Sequence, residues 1–364
     1  MAATILSCGA ITASATAGLA PLSATVESMQ KERLAVGEAR MIFPLPEGNH
    51  PEGIALDARG TIYVGNRRND GEHVVSEVLV IARDGSASTL AVLAELETDD
   101  PGGSGVLGLA TDARGNVYAA LVTFDPATHG VWRIGRNGWE QARLPGSEEI
   151  VFPNALTFDP RGNLYVTDSI GGAVWRFPAG ANTTGELWAQ DELLEPAPDD
   201  PFGFPLPGAN GIGFHPPDTL YVANTEKGLI VRVPIDLADG SAGRPSLVAA
   251  GPELLTIDGL AVDALGGIHA VIAGHGVLGT SPLVHVDPAS GTTTSSAAGS
   301  DLDEFDVPLS LAFGRGARDR HSVFVTNSDL PGLPPETHKP GIVQAHVGVP
   351  GFPSPSQSGR REVR

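Results

Sequence analysis

The sequence predicts an all-β chain, a six-bladed β-propeller closed by an N-terminal strand that completes the last blade. Three observations carry this expectation. One segment pattern returns six times at spacings of 47 to 56 residues. Each copy holds two alternating apolar–polar runs around a tight turn, the signature of a hairpin. The 364 residues include 46 glycines and 30 prolines, which leave little room for helices of ordinary length.

The first copy, Pro51–Asn66, reads PEGIALDARGTIYVGN. It returns as Val106–Ala120, Pro153–Asp168, Ala209–Asn224 and Ile257–Ala270, and more loosely as Pro308–Asn327. In each of the first five, a run such as Gly53–Leu56 leads into a turn, most often of Asp-x-Arg-Gly type, and out into a run such as Ile62–Val64. A third apolar run follows, for example Gly130–Ile134, Ala173–Phe177, Leu229–Val233 and Leu283–Val286, and a more variable fourth completes the unit. Four strands repeated about every 50 residues suit propeller blades, in which radial stacking protects most sheet edges. The sixth unit ends at Gly341–Val347, and the Pro-, Ser- and Arg-rich sequence beyond it cannot supply a fourth strand. Residues Ala39–Leu45 can, which locks the ring. The expected organisation is a leader over 1–36, the propeller over 37–350 and a disordered tail over 351–364.

Charge and cysteine content narrow the function. With 23 basic and 43 acidic residues the net charge is −20, which opposes a nucleic-acid or anionic-membrane surface. The single cysteine, Cys8, leaves no intrachain disulfide and no cysteine-based zinc site. No apolar stretch is long enough to span a bilayer. The first 25 residues are small, apolar and uncharged, like the later part of a secretory signal without its basic start. Export and a cytoplasmic location both stay open.

Six positions fall in register at the start of the first strand of each unit: Glu52, Leu107, Asn154, Asn210, Asp258 and Leu309. In a propeller that strand is innermost, so these side chains converge at the mouth of the central channel. Four of them are oxygen donors, two charged and two neutral. A lone Asn or Asp before glycine is ordinarily a turn residue. Four in one register of a repeat point instead to a hard divalent cation held by Glu52, Asn154, Asn210 and Asp258. Ca²⁺ ranks ahead of Mg²⁺ because the larger ion accepts several bulky protein ligands.

The openings Pro51-Glu52-Gly53, Pro153-Asn154-x-Leu156, Asn210-Gly211-Ile212 and Asp258-Gly259-Leu260-Ala261 resemble those of the senescence marker protein (regucalcin)/gluconolactonase/luciferin-regenerating-enzyme-like family, related to paraoxonase and diisopropylfluorophosphatase. The resemblance covers about residues 37 to 350. It implies a Ca²⁺-dependent lactone or ester hydrolase, with Glu52, Asn154, Asn210 and Asp258 as metal ligands and Asp258 also as general base or nucleophile. The chain departs from sugar lactonases of that family. Glu52-Gly53 runs into Ile54-Ala55-Leu56 without the usual tryptophan, and blade two brings Leu107 and Ala119–Leu121 where polar groups contact sugar hydroxyls. A partly apolar small-molecule lactone or ester is the expected substrate.

Chain direction puts long loops around the channel mouth: residues 66–75, 121–130, 195–208, 273–282 and 327–340. They carry Arg67, Arg68, Phe124, His129, Phe202 and His275. His275, between Gly274 and Gly276, is the auxiliary acid/base candidate, because its ordinary pKa lies near neutrality. Asp168 is placed to orient Asn154 from behind or to cap a turn. Two other readings of the same ring stay open: a non-hydrolytic isomerase or cyclase using the same cation, and a binding module whose metal is structural.

Overall fold

The computed structural model describes residues 34–69, 71–97, 104–180, 183–197, 207–296, 304–328 and 339–352. Each repeat forms a four-stranded antiparallel sheet, and within blades one to five consecutive strands are neighbours. Blade one runs from Asn49–Leu56 to Ala87–Glu97, blade two from Gly105–Thr111 to Gln141–Arg143, and blade three from Pro153–Phe158 to Glu186–Gln190. Blade four runs from Ala209–His215 to Ser246–Ala250 and blade five from Ile257–Val262 to Thr292–Ser295. Blade six has Val307–Phe313, Ser322–Ser328 and Gly341–His346, and its fourth strand is Ala39–Pro44 from the other end of the chain. Ala39 lies opposite Ala345 and Pro44 opposite Gly341. The first strands touch one another in sequence, and that of blade six returns to that of blade one, so the ring is closed.

The turn after the first strand of blades one, two, three and five explains the recurring Asp-x-x-Gly. Asp57 Oδ1 accepts the backbone N–H groups of Arg59 and Thr61, at 2.8 and 2.9 Å. Asp112 and Asp263 repeat the pattern, and Gly60, at φ +79°, takes the left-handed conformation that closes the turn. The apolar core lies between blades. Tyr221 and Ile230 of blade four pack with Leu260, Ile268 and Val284 of blade five in one such layer. Each fully buried aliphatic there contributes roughly 1.5–3 kcal/mol of transfer free energy.

Two boundaries differ from expectation. The second strand of blade one runs on to Asn69 and the third begins at His73, so residues expected in a long loop are paired strand. Gly351 bridges to Asp263, and the Phe352 N–H donates to the Val262 carbonyl, so the chain stays attached to blade five beyond 350. Of the expected leader over 1–36 and tail over 351–364, residues 1–33 and 353–364 lie outside the described residues. Among the described residues, no helix is long and apolar enough to cross a membrane.

Candidate metal centre in the channel

All six register positions share a local irregularity. The pairing of first with second strand slips between Pro51 and Ile54, Val106 and Gly108, Pro153 and Leu156, Ala209 and Ile212, Ile257 and Leu260, and Pro308 and Ser310. Glu52, Leu107, Asn154, Asn210, Asp258 and Leu309 sit inside those slips. A bulge bends its strand and re-aims the side chain it carries, here out of the sheet and into the channel. Small residues then let the strands crowd around the axis. A Cβ on Gly211 would meet the Asp258 carbonyl oxygen at 2.3 Å, so this position admits only glycine.

Asn154, Asn210 and Asp258 line one pocket together with Leu107 and Leu309. Two residues further along each first strand stand Ile54, Leu109, Leu156, Ile212, Leu260 and Leu311, all buried. All six line the same pocket as Leu107, Asn154, Asn210, Asp258 and Leu309, so a six-membered aliphatic collar borders the ring. The ring therefore has a low-dielectric border.

The electrostatics follow from that border. Burial pushes the Asp258 carboxyl up to about 8, with the Asn210 amide beside it pulling the other way. Glu52 is held well above the ordinary carboxylate range, first by burial and second by the negative charge of Asp258. Two carboxylates raised in this way fit a site built for a cation, which would replace their protons and remove their repulsion.

The two asparagines are each fixed from behind by a hydroxyl. Asn154 Nδ2 donates to Ser169 Oγ at 3.1 Å, and Ser169 Oγ donates to the Ala209 carbonyl at 2.7 Å. Asn210 Nδ2 donates to Thr225 Oγ1 at 2.9 Å, and that hydroxyl donates to the Ile257 carbonyl at 2.6 Å. A hydroxyl that has spent its proton on a carbonyl can only accept from the amide, so Nδ2 must face it. Each Oδ1 is left for the channel. Ser169 and Thr225 are the residues of this candidate site that sequence reasoning missed. Their signal was a hydroxyl directly after the second strand in the two blades that present asparagine, Asp168-Ser169 and Asn224-Thr225.

Asp168 does not orient Asn154. Its carboxylate accepts the backbone N–H groups of Val151, Phe152 and Gly171 at 2.9 to 3.0 Å, which fixes the loop leading into the strand of Asn154. His275 opens a four-residue helix, His275–Leu278, that follows the second strand of blade five on the channel-mouth side. Its Nδ1 donates to the Ile272 carbonyl at 3.2 Å, leaving Nε2 as the acceptor. Burial lowers its pKa, so the ring is neutral at pH 7. It is not among the residues that line the pocket.

On the rim, His129 is buried with Nε2 donating to the Ile150 carbonyl at 2.8 Å, a structural arrangement. Phe124 is exposed, stacks on His129 and lies 6.2 Å from Phe152. Arg68 pairs with Glu77 at 3.4 Å. Phe202 lies outside the described residues.

With this geometry in place the chain can be set beside known proteins. Residues 200–328 match the SMP-30/Gluconolactonase/LRE-like region. That span takes in Asn210 and Asp258 and covers blades four and five and the first half of blade six, so the resemblance seen in the repeat openings holds there. No curated protein matches the sequence. Among solved structures, the chain is similar to regucalcin from Agrobacterium tumefaciens, described as a calcium-binding protein, with 18% identity and a TM-score of 0.61 over 88% of this chain and 99% of that one. It is also similar to a gluconolactonase from Xanthomonas campestris (17%, 0.54, 87% and 91%) and to a luciferin-regenerating enzyme (13%, 0.58, 87% and 97%). At these identities the likeness establishes the propeller fold.

Proposed function

We propose that the protein is a calcium-dependent hydrolase that opens a lactone or related ester at the channel mouth. The observation that carries this reading is the convergence of two half-buried carboxylates, Glu52 and Asp258, both with raised pKa, beside two asparagines whose Nδ2 groups are engaged behind them. Glu52, Asn154, Asn210 and Asp258 would hold the ion. Bound there, Ca²⁺ supplies Lewis-acid polarisation of the substrate carbonyl and offsets the negative charge that develops on its oxygen.

Once ionised, Asp258 either accepts a proton from an attacking water or attacks the carbonyl itself. The collar, from Ile54 round to Leu311, lines the pocket with aliphatic surface that offers no hydrogen-bond partner to the hydroxyls of a sugar. Leu107 and Leu309 present apolar walls in the ring itself. Phe124 and Phe152 extend that character to the rim. Together these residues favour an aliphatic or aromatic lactone over a sugar lactone. His275, neutral and with Nε2 available, is the proposed auxiliary proton carrier.

The test is turnover of aliphatic, aromatic and sugar lactones in ¹⁸O-water, before and after chelation. The expected result is chelator-sensitive opening of the more apolar lactones, with solvent oxygen in the product. Ca²⁺-dependent conversion without solvent oxygen would replace hydrolysis with isomerisation or cyclisation. Stoichiometric Ca²⁺ without any conversion would leave a structural metal.

A further inference from the structure

Blade five departs from the other blades at one spot, and the repeat itself supplies the baseline. In blades two and three the turn aspartate uses Oδ1 for backbone N–H groups and Oδ2 for side chains. Asn116 Nδ2 donates to Asp112 Oδ2, and Asn163 Nδ2 to Asp159 Oδ2, both at 2.7 Å. The Tyr165 hydroxyl donates to Asp159 Oδ2 at 3.3 Å. Across the sheet, these tyrosines stand opposite an arginine on the third strand: Tyr118 opposite Arg133 and Tyr165 opposite Arg176. The repeating set is therefore Asp, Asn, Tyr, Arg.

In blade five the same four positions are Asp263, Gly267, His269 and His285, with His269 opposite His285. Three of the four have changed, and all three changes bear on Asp263 Oδ2. Gly267 brings no amide. A Cβ there would lie 2.2 Å from His285 Nε2 and 2.7 Å from Asp263 Oδ2, so the glycine opens the space that His285 enters. His269 Nε2 lies 3.1 Å and His285 Nε2 3.8 Å from Asp263 Oδ2. One ligand atom from each of the three residues lies within 4.8 Å of the other two.

We propose that Asp263, His269 and His285 bind a single first-row transition-metal ion, Zn²⁺ before the others, on the face of the propeller opposite the channel mouth. Two imidazoles and one carboxylate are a zinc-type donor set, unlike the all-oxygen ring in the channel. Ligands about 2.0–2.1 Å from a tetrahedral centre stand roughly 3.3 Å apart, a spacing the two nitrogen–oxygen distances bracket. Asp263 Oδ1 is already fixed by the Leu265 and Gly267 N–H groups, so Oδ2 is pre-aimed, as outer hydrogen bonds do in metal sites. Burial opposes ionisation of Asp263, but the hydrogen bonds from His269, Leu265 and Gly267 hold its pKa below the ordinary value, so it is charged at neutral pH. Asp263 and His269 are buried while the His285 side chain is 34% exposed, which gives the ion an entry path and leaves a coordination position for water.

One cost is visible. His269 Nδ1 is buried without a hydrogen-bond partner, so in the metal-free protein the proton sits on Nε2 and is donated to Asp263. Metal binding at Nε2 moves that proton to Nδ1, where it meets no acceptor, and this weakens affinity. The site is separate from the channel. Five residues of extended strand between Asp258 and Asp263 span about 16 Å.

The test uses the full-length, tag-free chain with Ca²⁺ in excess, dialysed against micromolar free Zn²⁺. Wild type and Asp258→Asn are each expected to retain one equivalent of Zn²⁺. His285→Asn should lose it. So should the combined Gly267→Asn, His269→Tyr, His285→Arg variant, which installs the set that blades two and three already fold with. Co²⁺ in place of Zn²⁺ should give the intense visible bands of a four-coordinate ion in wild type and Asp258→Asn, and in neither histidine variant. No stoichiometric Zn²⁺ on wild type, or an undiminished equivalent on the combined variant, would overturn the proposal.

Discussion

Asp258 and Asp263 stand near opposite ends of the inner strand of blade five, and their surroundings move them in opposite directions. Asp258, beside an aliphatic collar, is pushed up to about 8 by burial. Asp263 is at least as well buried by surface area, yet it is held below its ordinary range because two backbone N–H groups and an imidazole donate to it. The difference teaches that burial alone does not mark a site. What separates the two is the supply of donors: the turn satisfies Asp263, whereas the channel offers Asp258 one amide against the loss of its water. A carboxylate left short of donors, like Asp258, would gain most from a hard cation, whereas Asp263 is already ionised without one.

The largest expected effect comes from removing the charge that is short of donors. Asp258→Asn should lower lactone turnover by at least about 10³-fold, since it deletes both a proposed metal ligand and the proposed base. The same change should raise the calcium-free melting temperature, because a neutral amide tolerates the collar better than a carboxylate. A steady turnover rate in this variant would break the comparison.

Next is the opposite case, a carboxylate rich in donors. Asp159→Ala should lower stability by about 3 kcal/mol, read from the denaturant midpoint, because buried backbone and side-chain donors lose their acceptor. Its calcium affinity per folded chain should not change, since the turn lies at the far end of the strand from Asn154. Weakened calcium binding would show that the two ends are coupled.

A smaller effect is expected from the groups behind the ring. Ser169→Ala combined with Thr225→Ala frees both asparagine amides to rotate and should weaken calcium binding about 10- to 100-fold, the usual scale for outer-sphere partners. The smallest effect is that of one pH unit. Glu52 and Asp258 have folded pKa values raised above their unfolded ones, so the metal-free fold binds more protons than the unfolded chain. Its stability therefore falls as pH rises from about 4 through 8. Calcium displaces those protons, so its affinity should increase by about tenfold per pH unit for each proton released. A calorimetric titration at pH 6, 7 and 8 checks the slope, and a flat profile would mean that both carboxylates are already ionised.

Most of the fold was legible because propellers repeat themselves. The six copies gave the blades, and the missing fourth strand after Gly341–Val347 gave the closure by Ala39–Pro44. The candidate ligands were legible for the same reason, as deviations of residue type at one register position. What escaped was whatever depends on pairing between strands or blades. Ser169 and Thr225 act by bridging to the carbonyls of the next blade, which no spacing in the sequence reveals. Asp168 resembled a ligand-orienting residue because it ends the strand beside Asn154, yet it turns to the loop before that strand. His269 stands out in the repeat where blades one to four carry tyrosine, but its partnership with His285 requires the register of the third strand. The extension of blade one through Arg67 to Asn69 was hidden by polar residues that read as loop.

The central claim concerns the ring at the channel mouth, and calcium titration of the metal-stripped protein tests it most directly. One tight equivalent of Ca²⁺ is expected on wild type, markedly weakened in Glu52→Gln and Asp258→Asn, with lactone opening returning in step with occupancy. Calcium binding that is absent in wild type, or that survives both substitutions unchanged, would contradict the account.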